Sequence, residues 1–365
     1  MTADRLERAR AAAAAAGIDV VLVTPGPDLR YLTGYDAMPL ERLTCLVLSA
    51  TGDPRLVVPA LERPAAEASP AGSLGLEIVD WQEVEDPVGM VARLTPAARR
   101  VGVDDHMWAE KMLRFRAAMP DASQVLAGPV LHGLRLRKSA DEVDALREAG
   151  AAIDRVHARM GEWLRTGRPE HEVGRDIADA IVTEGHVRAD FVIVASGPNS
   201  ASPHHKTGDR VIQPGEPVVV DIGGTTKTGY CSDSTRTYAV GAPADEFVAA
   251  YEALQRAQAA AVDRVRPGVT AEAVDAAARD VLDRAGLGEY FVHRTGHGIG
   301  LETHEEPYIV AGNTMPLEAG MTFSIEPGFY MPGRCGARIE DIVVATDDGV
   351  ERLNLQPREL IILDS

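Results

Sequence analysis

Five residues carry the chemistry that this chain could perform: Asp221, Asp233, His297, Glu326 and Glu340. The first two sit in VVVDIGGTTKTGYCSDSTRTYAV, which reads as two strands joined by a Gly/Thr/Lys turn. A turn centred on Lys227 puts Asp221 and Asp233 face to face on one side of an antiparallel pair. Opposed positions hold their Cβ atoms about 4.5–5.5 Å apart, where two like charges destabilise the sheet unless a cation neutralises them. The stretch MTFSIEPGFYMPGRCGARIEDIVVA repeats the arrangement around Gly333, so that Glu326 faces Glu340. Between the two hairpins stands His297, flanked by glycines that permit close backbone approach, and a neutral imidazole is an ordinary metal ligand.

Four carboxylates bring four negative charges. One divalent ion leaves two of them uncompensated, whereas two ions give neutrality and can share a bridging hydroxide, so the expected cofactor is two divalent metal ions per chain. Oxygen-rich ligation with a single imidazole favours manganese over a structural zinc, with Co, Fe and Zn left open. Taken singly, each acid would read as a solvated turn charge; two matched pairs inside apolar strands argue against that. Arg338 lies two residues before Glu340 on the same strand face, placed to orient that carboxylate or to contact substrate.

The local contexts DIG, YCSD, GHGIG, IEPG and RIED, in that order, resemble those of the pita-bread metallopeptidases, over roughly the C-terminal two thirds of the chain. That family includes methionine aminopeptidase, Xaa-Pro aminopeptidase and Xaa-Pro dipeptidase (prolidase). The resemblance implies hydrolysis of a peptide bond near a free amino terminus. It implies that Glu326 both binds metal and moves a proton, and that His204, at a Pro-His step, and His304, in HEEP, contact the substrate carbonyl and the developing oxyanion. His293 is expected in the pocket. Tyr308 occupies the position after HEEP where some prolidases carry an arginine for the dipeptide's carboxylate, and is expected to bind substrate in its place.

Within the family, methionine aminopeptidases usually lack a large N-terminal domain, and creatinase-like relatives have replaced their metal ligands. Here both the domain and the five ligand types are present. The expected function is therefore a Xaa-Pro dipeptidase, with a Xaa-Pro aminopeptidase acting on longer peptides as the alternative and a non-catalytic binding protein on the same fold as the rival of another class.

The elements that must position these residues fall into two parts. Residues 1–127 alternate helical and strand-like segments (DVVLV, TCLVLSA, PRLVVPAL, LEIVDW, RRVGVDD), an α/β pattern that resembles a creatinase-like N-terminal domain and carries no chemical constellation. Residues 128–365 form the expected pita-bread domain. Ser139 and Glu142 make a capping box for a long amphipathic helix expected to end near Gly167, and a second helix follows Pro169. The strand DFVIVASG and the first hairpin come next. A second pair of helices, an extended YFVH and the second hairpin repeat the order, so the domain reads as an internal duplication with a curved antiparallel sheet and a pseudo-two-fold.

A chain of 365 residues accommodates two domains, and its formal charge of −18 argues against sequence-independent nucleic-acid binding, which needs a basic face. Cys45, Cys231 and Cys335 are too few and too scattered for a disulfide framework, which fits a reducing cytoplasm, and Cys231 reads as packing. No apolar run approaches the roughly 20 residues needed to span a membrane. The expected partner is a short peptide substrate, with no nucleic acid and no membrane, and the resemblance implies a homodimer.

Overall fold

The computed structural model describes residues 2–364 and divides into two compact units, Met1–Arg135 and Leu136–Ser365. In the first, β1 (Val20–Val23), β2 (Cys45–Ser49), β3 (Arg55–Pro59), β4 (Glu77–Trp81), β5 (Arg100–Val103) and β6 (Ser123–Leu126) form one mixed sheet in the order β4-β3-β2-β1-β5-β6. Helices α1 (Thr2–Ala15), α2 (Pro27–Thr33), α3 (Arg63–Ala68), α4 (Pro87–Leu94), α5 (Ala109–Ala118) and α6 (Gly128–Arg135) accompany it. The division falls later than 127/128 because Gly128–Arg135, assigned to the second domain from the sequence, is a helix that belongs with the first unit: Arg135 is buried there and its guanidinium binds Asp28 at 2.8 Å.

The second unit opens with α7 (Ala140–His157), whose N-terminus carries the capping box of Ser139 and Glu142. The helix stops at His157 rather than near Gly167. A 3-10 turn at Met160–Glu162 follows, and Gly167, at φ 87°, turns the chain into α8 (Glu170–Thr183). Next come β7 (His186–Ser196), β8 (Glu216–Thr226) and β9 (Cys231–Val240), then α9 (Asp245–Arg264) and α10 (Ala271–Arg284). The remainder comprises β10 (Gly296–Gly298), β11 (Glu305–Ile309), β12 (Thr322–Ile325), β13 (Gly328–Met331), β14 (Cys335–Arg338), β15 (Asp341–Thr346), β16 (Gly349–Arg352) and β17 (Ile361–Leu363). Sheets run β17-β9-β8-β7 and β11-β10-β12-β15-β16, with β13 and β14 as a separate ribbon. YFVH is not extended throughout, since its first residue, Tyr290, closes a 3-10 turn at Gly288–Tyr290.

The duplication is visible in the backbone. Before α8, Gly167 N donates to Ile212 O and Ile212 N to Arg168 O; before α10, Gly268 N donates to Leu317 O and Leu317 N to Val269 O. Both glycines have positive φ, 87° and 84°. Each half also keeps its own apolar cluster. Ile153, Val156, Val173 and Ile177 pack against Val218, Val220, Ile222 and Tyr238 in the first, and Leu254, Ala257, Val274 and Leu282 cluster with Phe323, Ile325 and Val343 in the second. Burying such side chains contributes roughly 1.5–3 kcal/mol each.

Strand periodicity then decides what faces the other way. Even-numbered Val218, Val220 and Ile222 on β8, with Tyr238 and Val240 on β9, belong to the helix-side cluster. Successive side chains alternate, so Asp221 on β8 and Asp233 and Thr235 on β9 point to the opposite face. That face lines a cavity.

Candidate metal centre

The first hairpin pairs Asp221 with Thr235 and Gly223 with Asp233, so the two aspartates are diagonal neighbours on one face rather than directly opposed. The turn centres on Thr228, not Lys227, because Gly229 takes φ 93° and the Thr226 carbonyl accepts from its N–H. A two-residue slip preserves the face, since the side-chain period is two. Gly223 has to be glycine here: a Cβ would stand 2.5 Å from the Phe191 ring.

In the second hairpin, Gly328 pairs with Arg338 and Ile325 with Asp341, a register centred on Gly333. Glu326 and Glu340 occupy the interruption between the two ladders. There the Glu340 N–H leaves its own hairpin and donates to Thr235 O at 3.0 Å, which ties the second hairpin to the first. His297 sits on β10 between Gly296 and Gly298, whose Cβ atoms would meet Ser324 O at 1.8 Å and Glu306 O at 2.1 Å.

Asp221, Asp233, His297, Glu326 and Glu340 all line one cavity of about 610 Å³, with His204, His293, Arg294, His304 and Arg338. Ligand atoms of Asp233, His297 and Glu340 lie within 4.8 Å of one another, and all three residues are buried. Burial and then the charges of Glu340 and Asp221 push the Asp233 carboxyl well above its usual range. Burial, Glu326 and Asp221 do the same to Glu340. Glu326 goes the other way: burial would raise it, but the hydrogen bond and charge of His297 hold it below the usual carboxylate range.

Two further observations fit a cation. Asp221 Oδ1 is buried without a hydrogen-bond partner. His297 Nδ1 is 3.1 Å from Gly298 O, which only a ring N–H can satisfy, so Nε2 is the ring nitrogen turned to Glu326 Oε1 at 3.2 Å and Asp233 Oδ2 at 3.6 Å. A proton on Nε2 lets the ring donate to these carboxylates; without it, lone pairs face acceptors, which is unfavourable unless a metal cation lies between them. The donor set fits divalent metal: four carboxylates and one imidazole, with no thiolate. Cys231 packs with Leu146, Ile299 and Ile342, and burial pushes its thiol up to about 11.

Arg338 lines the cavity, and its ion pair is with a carboxylate other than Glu340. It is fully buried and binds Asp221 Oδ2 at 2.5 Å, not Glu340. Its Nε donates to Thr235 Oγ1 at 3.1 Å, and that hydroxyl donates to Glu340 Oε2 at 2.7 Å, so the arginine reaches Glu340 only through Thr235. Its remaining contacts are Tyr330 Oη at 2.7 Å and Pro203 O at 3.3 Å. His293 is committed as well. Its Nδ1 donates to Arg294 O at 2.7 Å, and its Nε2 therefore accepts from Tyr330 Oη at 2.8 Å. Tyr308 is not on the cavity wall; its ring lies under the Arg294 guanidinium, 4.5 Å from centroid to Cζ.

The two histidines expected to contact substrate are open. His304 is exposed, with its ring 4.0 Å from that of His297; burial of its inner side, His297 and Arg294 push its pKa down to about 4. His204 is exposed on the loop after β7, while its neighbour His205 turns inward to Glu170 Oε2 at 2.8 Å. Glu170 is fully buried and also accepts from Ser196 N and Oγ, both at 2.7 Å, and from Asn199, so it anchors the segment that carries His204. In the second half Asp275 accepts from Thr295 N and Oγ1 and pairs with Arg279, whose guanidinium also binds Phe291 O and His293 O. Sequence reasoning passed over Glu170, Asp275, Thr235, Tyr330 and Arg294. Only Thr235 had a signal, sharing a strand face with Asp233.

Comparison with known proteins agrees with this geometry. Residues 144–347 match metallopeptidase family M24, and residues 5–137 match the creatinase/prolidase N-terminal domain. This chain belongs to metallopeptidase family M24. It is 57% identical over 362 residues to "Probable dipeptidase PepE" of Mycobacterium tuberculosis, covering 99% of this chain and 96% of that one. It is 37% identical over 356 residues to the Xaa-Pro dipeptidase of Lactobacillus helveticus, covering 94% and 95%. The crystal structure of dipeptidase PepE from Mycobacterium ulcerans superposes with a TM-score of 0.95 at 56% identity, covering 100% of this chain and 98% of the other. The mixed α/β fold, with a creatinase N-terminal unit and an M24 catalytic unit, is thus that of a hydrolase acting on peptides, and the family uses divalent metal. No helix among the described residues is long and apolar enough to cross a membrane.

Proposed function

We propose that this protein is a metal-dependent Xaa-Pro dipeptidase whose site is the cavity on β8, β9, β10 and the second hairpin. The observation that carries the proposal is the meeting of four carboxylates and one imidazole on one wall, with His204 and His304 open beside them. Asp221, Asp233, His297, Glu326 and Glu340 would hold the ions. With Arg338 counted, the carboxylates leave a net charge of minus three; one divalent ion brings this to minus one, and a second to plus one, which suits an anionic group in the same cavity. Oxygen-rich ligation favours manganese. Bound divalent ions would supply Lewis-acid polarisation of a carbonyl and a water acidic enough to ionise near neutral pH.

The chain's own groups do the rest. Glu326, a carboxylate beside these ions, would accept a proton from the attacking water and pass it to the leaving amine. His304, neutral at physiological pH because its pKa is pushed down to about 4, donates a ring N–H to the developing oxyanion. His204 donates to the substrate carbonyl. Arg338 keeps Asp221 in position and, through Thr235, Glu340; His293 and Tyr330 hold Arg338 from behind. A homodimer in the cytoplasm is the setting inferred from the family resemblance and the scattered cysteines. The test is elemental analysis alongside Ala-Pro hydrolysis before and after chelation. Two ions per chain, with activity lost on chelation and restored by manganese, is the expected result; full activity with one tightly bound ion overturns the dinuclear reading.

A further inference from the structure

A dipeptide differs from every longer peptide in carrying a free carboxylate directly on the residue after the scissile bond. The four carboxylates are committed to the metal ions, so a site that selects dipeptides through that group needs a cation set apart from the metal centre. Only two guanidinium groups line the cavity among the described residues. Arg338 makes four hydrogen bonds inside the wall, including the ion pair with Asp221, and the ring nitrogens of His293 are both engaged. Tyr308 offers at most one neutral donor and does not line the cavity.

Arg294 differs from all of these. It lines the cavity, is only half-buried, and its guanidinium makes no hydrogen bond or ion pair among the described residues. The group is nonetheless held in place. Its Cζ lies 4.5 Å over the Tyr308 ring, an attraction that leaves the N–H donors unspent because they lie in the guanidinium plane. The backbone around it is fixed by α10, where Arg279 binds the carbonyls of Phe291 and His293 and Asp275 binds Thr295 N and Oγ1. A rigid backbone, a stacked guanidinium and free donors facing a cavity are what a carboxylate receptor requires.

We infer that Arg294, stacked on Tyr308, receives the free C-terminal carboxylate of the dipeptide and so sets the preference for dipeptides. This rests on the reading of the protein as a Xaa-Pro dipeptidase. The fork gives a charge-assisted pair of hydrogen bonds to a dipeptide. A longer peptide brings a neutral amide to the same place, and Arg294 then loses water without gaining a counter-charge.

The test compares kcat/KM on Ala-Pro and on its amide, Ala-Pro-NH2, for the metal-loaded wild type, Arg294→Gln and Arg294→Lys, with inhibition by free proline and by prolinamide as a binding readout. The wild type is expected to prefer the acid, and Arg294→Gln to lose roughly 10- to 100-fold on Ala-Pro while changing little on the amide. Proline should become a weaker inhibitor of that variant, with prolinamide unaffected, and Arg294→Lys should retain part of the preference. A wild-type preference for the acid that persists undiminished in Arg294→Gln overturns the role of Arg294 and leaves the dipeptidase reading standing. Equal losses on both substrates also overturn it, since they mark a packing role over Tyr308. A wild type indifferent to the free carboxylate overturns the dipeptidase reading and this inference together.

Discussion

Replacing Asp233 by asparagine should stabilise the metal-free protein and destabilise the metal-loaded one relative to wild type. Ligand atoms of Asp233 and Glu340 lie within 4.8 Å of each other, and two unit charges at that separation repel by about 3 kcal/mol at an effective dielectric of about 20. Proton uptake relieves part of this, because burial and mutual repulsion push both carboxyls above their usual range. The neutral amide should therefore gain about 1–3 kcal/mol without metal, or roughly 2–10 °C in the melting temperature of a unit the size of Leu136–Ser365. Divalent metal at a thousand times its dissociation constant stabilises the wild type by about 4.1 kcal/mol, a gain the variant largely forfeits. Thermal unfolding of both proteins in chelator and in excess manganese reads this out, and the order of the two midpoints should invert between the conditions. A variant less stable than wild type in chelator, or equally stabilised by metal, refutes the account of Asp233 as a strained cation ligand.

Two other outcomes follow from the geometry. His304→Ala should lower turnover on Ala-Pro by about 100-fold or more at unchanged metal content, because an oxyanion donor acts in the transition state; unchanged turnover would make His304 a surface imidazole. His157 is buried against Tyr238 Oη and Ser234 O, and burial followed by the charge of Arg236 depresses its pKa to about 3. As the pH falls below about 6.5 the unfolded chain takes up a proton that the folded chain refuses until about 3, so stability is lost across that window at up to about 1.4 kcal/mol per unit. Urea midpoints between pH 7 and 5 should fall less steeply in His157→Gln than in wild type, and parallel slopes would contradict this assignment.

What was legible in the sequence was whatever depends on period and local turn chemistry. The alternation that buries Val218, Val220 and Ile222 also aims Asp221 and Asp233 at the cavity, and a one-residue error in the turn centre, which slips the register by two, left the face unchanged. Gly333, at φ 72°, set the second register. Repeated helix breaks at Gly167 and Gly268 exposed the duplication. Roles set by long-range pairing were not legible. Arg338 sits on the face of Glu340 and so reads as its partner, yet the meeting of the two hairpins delivers it to Asp221. Glu170 and Asp275 look like ordinary helix acids until the fold shows them buried and holding the segments that carry His204 and Arg294. Tyr308 stands where a substrate contact was expected and proves to be the platform for Arg294, a residue without any local signal.

The central claim is that this cavity hydrolyses Xaa-Pro dipeptides in preference to longer peptides. Its most direct test is kcat/KM for Ala-Pro against Ala-Pro-Ala on the manganese-reconstituted protein. The account predicts a clear advantage for Ala-Pro, on the order of 10-fold or more, because only the dipeptide brings a carboxylate to the free cation of the wall. Equal or greater efficiency on Ala-Pro-Ala would contradict it and make the protein an aminopeptidase.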